Sequence, residues 1–379
     1  MKFKTFEPEQ FDATKEAMFF GRPINVSRFD RQKYSFFEKQ TRKQIGFFWV
    51  PEEIAMDQDK DDFHRKLDAA GKHIFTSNLS YQILLDSVQG RAPNIALTPF
   101  VSIPELEGFI LAWTFMESIH SRSYSHLIRN VYHDPKDVLD NVVKIEPIIE
   151  RASAVTKYYD EFIEYGNWYN MLGYGNHIVN GKEIDINPKK LMTLFYKMMV
   201  AINILEGVRF YVSFACTWAY SESLKLMNKS AKIIKMICRD ENVHLAVTTT
   251  ILKKFADGSE GEAWKQIAEN CKDEVYAMYE EAVQQEREWA DYLFKDGSIV
   301  GLSSAILKQY VEFIADRRLH ALGMQKIYKH ASNPLPWTEH WIGSKTTQVA
   351  PQEEEITSYT QGGVKNDISE IYNTGFSLD

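Results

Sequence analysis

Apolar residues recur at three- and four-residue spacing through 31–48, 72–90, 104–131, 147–171, 188–224, 228–256, 262–295 and 303–322. That is the period of a helix with one buried face. Several ends carry their own punctuation: Pro51 follows the aromatic run Phe47-Phe48-Trp49, Gly90 closes one stretch, and Pro104 opens the next. The pattern lapses from Gly173 to Pro188, where Asn180-Gly181 between two short β-prone runs predicts a small hairpin. No alternation of strands and helices suggests a parallel sheet. The fold class is therefore all-α, with one minor β-hairpin.

The most apolar stretch, Leu191 to Tyr220, is long enough to cross a membrane, but Lys197, Asn203, Glu206 and Arg209 interrupt it. Each would be costly in hydrocarbon, whereas a helix apolar nearly all round suits the centre of a large bundle. The buried reading is preferred, and no membrane partner is expected. From about Gly343 the chain turns polar, with an acidic run at Glu353–Glu355 and Gly362-Gly363, yet it keeps Tyr359, Ile371, Tyr372, Phe376 and Leu378. An acidic tail ending in apolar anchors is suited to ordering on a partner. The organisation read from this is an N-terminal arm (1–25), a helical domain (26–342) and a C-terminal tail (343–379).

Composition narrows the chemistry. The net charge of −8 over 379 residues offers no footprint for nucleic acid. Cys216, Cys238 and Cys271 stand far apart, which excludes a disulfide scaffold and a thiolate zinc site and suits a reducing cytoplasm. The first residues lack the apolar core of a signal peptide, so a cytoplasmic location is expected. No G-x-x-x-x-G-K-[ST] phosphate loop is present.

Two of the ten histidines have Glu three positions earlier: Glu117-Ser-Ile-His120 and Glu241-Asn-Val-His244. On a helix that spacing sends carboxylate and imidazole from one face toward one centre. Each motif follows an acid set in apolar surroundings, Asp86 in YQILLDSVQG and Glu206 in AINILEGVRF, 31 and 35 residues upstream. An acid helix followed by a Glu-x-x-His helix, twice, reads as a duplicated pair. Four such helices gather four carboxylates and two imidazoles around two metals, the ligand set of ferritin-like di-iron and di-manganese bundles. Divalent cations would also relieve the cost of burying those carboxylates, and the oxygen and nitrogen donors suit iron or manganese. The plainer alternative pairs Glu206 with Arg209, leaves Glu241 on a solvated face and uses the histidines as core hydrogen-bond partners.

Tyr124 lies four residues after His120 and shares its helix face, so its ring can approach the metals. Taken alone it is an ordinary core tyrosine. Beside an oxygen-activating centre its phenol is the nearest oxidisable group, and Trp113, Phe210, Phe214 and Ile237, at helical offsets from the ligands, could supply an apolar surround.

The stretches MFFGRPINVSRFD, QIGFFWVPEE, YQILLDSVQGRAPN, TFMESIHSRSYSHLIRN, ILEGVRFYVSFAC, KMICRDENVHLA and VAPQEEEITSY closely resemble the small, radical-generating subunit of class I ribonucleotide reductase, with the class Ia type nearest. The similarity runs in order from about residue 17 to the tail. It implies that Asp86, Glu117 and His120 bind one iron and Glu206, Glu241 and His244 the other, with Glu117 among the bridging ligands. It implies two iron ions per chain, joined as Fe–O–Fe after oxygen activation, with manganese as an alternative, and a stable tyrosyl radical on Tyr124. Trp49 would join the near iron through Asp240 and His120, and Tyr359, supported by Glu353, would carry the radical path toward the large subunit. Phe376 and Leu378 would help the tail dock there. The resemblance further implies a homodimer that acts with a large catalytic subunit as a thioredoxin- or glutaredoxin-dependent ribonucleoside-diphosphate reductase serving deoxyribonucleotide synthesis. Read from the residues alone, Trp49 could merely anchor a helix end and Asp240 merely pair with Arg239. Two rivals share the bundle: a di-iron oxygenase or desaturase, which leaves the tail unexplained, and an iron-storage or structural protein, which needs no radical.

Overall fold

A computed structural model describes residues 4–343 of the chain. Four helices form the frame of the site: Ala69–Gln89, Pro104–Val131, the run from Pro188 to Leu224, and Asn228–Ala256. The first pair pack against each other, as do the second, and each pair also packs against the other. Around them lie Ser35–Gly46, which covers the helices of Glu117 and Glu241, and Glu146–Leu172, which covers those of Asp86 and Glu206. Lys272–Leu293 and Ser304–Ala321 close the remaining side.

Local chemistry explains the starts. Asp68 accepts the Gly71 N–H at 2.7 Å before Ala69–Gln89, and Asn187 accepts the Lys190 N–H at 2.8 Å before the Pro188 helix. These satisfy amide donors that have no partner within the helix. Pro104 sits in the first turn of its helix, where its missing N–H costs nothing. Gly90 does end the Asp86 helix, but at φ −63°, not in the left-handed form usual for a terminating glycine. There the constraint is space: a Cβ would stand 3.0 Å from the Asp86 carbonyl oxygen.

The sheet is the hairpin Gly175–Val179 with Lys182–Ile186, paired antiparallel from Gly175↔Ile186 to Val179↔Lys182. Asn180 and Gly181 turn it at φ 50° and 77°, the two left-handed residues of a tight hairpin turn. The stretch 262–295 is not one helix; it breaks at Cys271 into Glu262–Asn270 and Lys272–Leu293. The three cysteines are buried and unpaired.

The apolar stretch beginning at Leu191 is the core helix. Every residue from Met198 to Tyr220 is buried. Its polar interruptions all have partners: Lys197 with Glu274 at 2.5 Å, Asn203 with Thr248 at 3.0 Å, Glu206 with Gln89 at 2.8 Å, and Arg209 with Glu286 at 3.0 Å. Its hydrogen bonding widens to a π turn over Leu205–Arg209, and again over Tyr220–Leu224. Such turns insert an extra residue and redirect the side chains they carry. Glu206 stands in the first of them.

Toward the N-terminus, Met18 and Phe19 are buried. Phe19 bridges to Val101, and the Met18 N–H donates to Glu260 Oε2 at 2.6 Å.

Candidate metal centre

Asp86, Glu117, His120, Glu206, Glu241 and His244 are all fully buried and meet in the middle of the four helices. Their ligand atoms form two overlapping groups. Asp86, Glu117, His120 and Glu241 make one, and Glu117, Glu206, Glu241 and His244 the other; within each group the ligand atoms lie within 4.8 Å of one another. Glu117 and Glu241 belong to both groups. His120 Nδ1 is 3.3 Å from Glu117 Oε2 and 3.3 Å from Glu241 Oε1. His244 Nδ1 is 3.1 Å from Glu117 Oε1 and 3.3 Å from Glu241 Oε2. Two carboxylates thus span the gap between two imidazoles, so Glu241 is placed to bridge as well as Glu117.

Both oxygens of Asp86 and Oε2 of Glu206 are buried without a hydrogen-bond partner, while Oε2 of Glu117 and Oε1 of Glu241 share the single His120 Nδ1 at 3.3 Å. Leaving one such acceptor unsatisfied costs about 1–3 kcal/mol, and more when it is charged. Three orphan oxygens converging with two that share one imidazole nitrogen are what a pair of divalent cations would satisfy, so the residues fit a di-metal centre.

Without cations, protons balance the charge. Burial, then the charge of Glu117, pushes the Asp86 carboxyl well above the usual carboxylate range. Burial, then the charge of Glu241, does the same to Glu206. For Glu117, burial is outweighed by hydrogen bonds from His120 and His244, which bring it down to about 2. The imidazoles are the counterpart: burial opposes their charge, but Asp240, Glu117 and Glu241 raise His120 well above its usual value, and Glu117 and Glu241 raise His244 to about 10.

His120 turns Nε2 outward to Asp240 Oδ2 at 3.2 Å. The same oxygen accepts the Trp49 indole N–H at 2.8 Å, and Gln44 Nε2 donates to Oδ1 at 3.0 Å. Trp49 and Asp240 are both buried, and the indole is inclined 30° to the His120 ring, 6.5 Å between centroids. A hydrogen-bonded line therefore runs from the centre through His120 and Asp240 to Trp49. Arg239 comes no nearer to Asp240 than a long ion pair, Nε to Oδ1 at 3.9 Å; its guanidinium donates to the Phe47 carbonyl at 2.6 Å and stacks over that ring. Nor does Arg209 hold Glu206, since it is engaged by Glu286 and Gln285.

Tyr124 is fully buried, and its hydroxyl has no hydrogen bond of ordinary geometry. Burial, followed by the nearby charge of Asp86, raises the phenol well above its usual value, so it stays protonated. Phe210, Phe214 and Ile237 are buried, the first two stacked at 5.7 Å. Trp113 lies elsewhere. Eleven residues before Tyr124 on the same helix, it is about 16 Å away along the axis. Its indole N–H donates to Glu117 Oε1 at 2.9 Å, and its ring sits 5.4 Å from that of His244. Glu353, Tyr359, Phe376 and Leu378 fall outside the described residues.

Sequence reasoning passed over Gln44, Gln89 and Tyr159. Gln89 Nε2 donates to Glu206 Oε1 at 2.8 Å, and the Tyr159 hydroxyl donates to Gln89 Oε1 at 2.9 Å. Gln89 was within reach of the pattern, lying three residues beyond Asp86 on the same helix face. Gln44 and Tyr159 come from helices that carry no ligand, and nothing in their spacing points inward.

Fold and ligand set together define a ferritin-like helical protein with a carboxylate–histidine site able to hold two metals. The model of the ribonucleotide reductase small chain family matches residues 27–334. Over its whole length the chain is 47% identical to "Ribonucleoside-diphosphate reductase 1 subunit beta" of Salmonella typhimurium, with all of both chains covered. It is 48% identical to the subunit beta of Haemophilus influenzae, again with full coverage of both, and 38% identical to that of Enterobacteria phage T4 over 96% of each. Among solved structures, the R2 subunit from Clostridium botulinum superposes with a TM-score of 0.77 at 24% identity, covering 90% of this chain and 98% of that one. The dimanganese(II)-NrdF of Streptococcus sanguinis gives 0.65 at 20%, covering 85% and 99%. The chain belongs to the ribonucleotide reductase small chain family, as a class I small subunit.

Proposed function

We propose that this chain is the radical-generating beta subunit of an aerobic ribonucleoside-diphosphate reductase, with two irons per chain and a stable radical on Tyr124. The observation that carries this is the convergence of six buried ligands, with unpaired carboxylate oxygens, beside a buried protonated phenol.

Asp86, Glu117 and His120 would hold one iron and Glu206, Glu241 and His244 the other, with Glu117 and Glu241 between them. When bound, the two metals would supply oxygen-dependent oxidising power beside the phenol. Tyr124 would give up its electron to that centre and its proton to Asp86, the carboxylate whose charge its hydroxyl feels most. Burial keeps water and reductants from the resulting radical. The line His120–Asp240–Trp49 then provides a route for moving the oxidising equivalent outward, with Asp240 holding the indole proton at a fixed acceptor.

In the same reading the chain works as a homodimer with a large catalytic subunit, whose cysteines reduce the ribose with electrons from thioredoxin or glutaredoxin. Tyr359 and Glu353 would continue the path, Phe376 and Leu378 would dock the tail, and the protein would act in the cytoplasm. The three cysteines described above are dispersed and buried, which supports placing the reduction on the partner.

The test is low-temperature EPR on metal-free protein loaded anaerobically with Fe(II) and then exposed to oxygen, with Tyr124→Phe as control. A stable organic radical in the wild type, absent from Tyr124→Phe, is expected. Iron uptake and oxygen consumption with no radical in either protein would move an oxygenase ahead. Failure to bind Fe(II) or Mn(II) would sink the metal centre itself.

A further inference from the structure

The two histidine-flanked carboxylates and Glu206 are held in different ways. Glu117 and Glu241 each face both imidazoles at 3.1–3.3 Å, so either is constrained by two partners. Glu206 has a single described hydrogen bond, from Gln89 Nε2 to Oε1 at 2.8 Å, while its Oε2 is buried without a partner. It also stands in a π turn, where the backbone does not repeat the regular helical register.

Gln89 is itself oriented. A glutamine amide can present either end to a carboxylate's surroundings, but only its NH₂ end can donate. The Tyr159 hydroxyl donates to Gln89 Oε1 at 2.9 Å, which leaves Nε2 turned to Glu206. Glu206 and Gln89 are fully buried and Tyr159 is 1% exposed, so the chain of contacts is sealed from bulk water. Tyr159 belongs to Glu146–Leu172, a helix that supplies no ligand.

We infer that Tyr159 and Gln89 are positioning residues that tie up Glu206 Oε1 and so leave Oε2 as the single oxygen offered to a metal at the Glu206–His244 position. This rests on the di-metal reading above and adds to it a control on one of the two positions. Without Gln89, Oε1 would become a second unpaired buried oxygen. The carboxylate would then rotate to give both oxygens to one ion or take up a proton, and either change alters coordination at that position alone. Partners of this kind, one step removed from the metal, commonly change affinity by about 10–100-fold when removed.

The experiment is anaerobic Fe(II) titration of the full chain, followed by the near-infrared circular dichroism of the bound ions. Wild type, Gln89→Leu and Tyr159→Phe are compared, with thermal melts of each metal-free protein. Gln89→Leu is expected to weaken one of the two Fe(II) equivalents about tenfold and to shift the ligand-field bands of that ion, leaving the other equivalent unchanged. Tyr159→Phe, which deletes one oxygen and keeps the ring, shifts the same bands with a smaller loss of affinity. If Gln89→Leu does not fold, Tyr159→Phe decides by the same readout. Two equivalents bound with wild-type affinity and unchanged bands in the folded variants would overturn the inference. So would equal weakening of both ions, which marks a general loosening of the core. A wild type that takes up no Fe(II) would instead show that the metal-centre reading has failed, and the pair with it.

Discussion

Asp240 shows how much one side chain contributes here. Its two oxygens accept from Trp49, His120 and Gln44, three donors brought from two other helices and the segment that follows one of them. Asp240→Asn turns one acceptor oxygen into an NH₂ that must face a donor, which breaks at least one of these contacts. The ligand atoms are untouched, so iron uptake and radical yield by EPR should stay near wild type. Turnover with the large subunit should fall about 10–100-fold. Spin count and turnover falling together would mean that Asp240 serves only to orient His120. Little of this network was legible residue by residue. The Glu-x-x-His spacings and the two upstream acids were, because helical periodicity alone puts them on inward faces. Trp49 and Asp240 entered through the family resemblance, since no periodicity relates positions 191 residues apart, and Gln44 was not found. Helical offset alone suggests Trp113 near the phenol; its indole N–H instead donates to Glu117, one of the two carboxylates between the imidazoles.

At the scale of elements, the π turn at Leu205–Arg209 is what a hydrophobic pattern does not announce, because one extra residue in a wholly buried helix leaves every position apolar or paired. Gly207 in that turn has a packing role: a Cβ there would lie 2.9 Å from Leu245 Cδ1 and 3.2 Å from Arg318 Cδ. The Arg318 guanidinium also donates to the Gly207 carbonyl at 2.8 Å, locking Ser304–Ala321 onto the turn. In an open helix, alanine would gain about 1 kcal/mol over glycine. Here overpacking should win, and Gly207→Ala is expected to destabilise by about 1–3 kcal/mol in denaturant melts. It should also weaken Fe(II) binding, since Glu206 is the preceding residue. A stabilised variant would show that the turn can yield without cost. The hairpin at 180–181 was legible because its Asn-Gly chemistry is local, whereas the break at Cys271 interrupts a continuous apolar periodicity and was not.

For the whole molecule, the central charge cluster links metal uptake to pH. In the metal-free protein the His244 pKa is raised from 6.5 to about 10 and His120 is raised as well, so both imidazoles carry protons at neutral pH. A raised imidazole pKa stabilises the fold fully below 6.5, and that contribution is lost as pH climbs toward about 10. The Tm of metal-free protein should therefore fall over that window. Protein loaded with Mn(II), a redox-stable probe, should resist the change, because the ligating nitrogens must shed their protons on binding. Calorimetric titrations in buffers of different ionisation enthalpy should show proton release, with affinity rising as pH rises. Uptake without proton release would contradict the arrangement of imidazoles between carboxylates.

What the sequence by itself determined is everything carried by helical periodicity and short-range chemistry. That includes the all-α class, the positions of the long helices, the Asn-Gly hairpin, and two acid-plus-Glu-x-x-His pairs whose spacing lets each offer its ligands to one centre. Tertiary structure decided which residues from distant segments complete that centre. It set both Glu117 and Glu241 between the imidazoles, turned Glu206 inward on a π turn, ran Asp240 to Trp49, and brought Tyr159 through Gln89 to Glu206. Those contacts join positions from 70 to 191 residues apart. A pattern of period 3.6 specifies which face of a helix is buried, but not which side chain from another helix will meet it there.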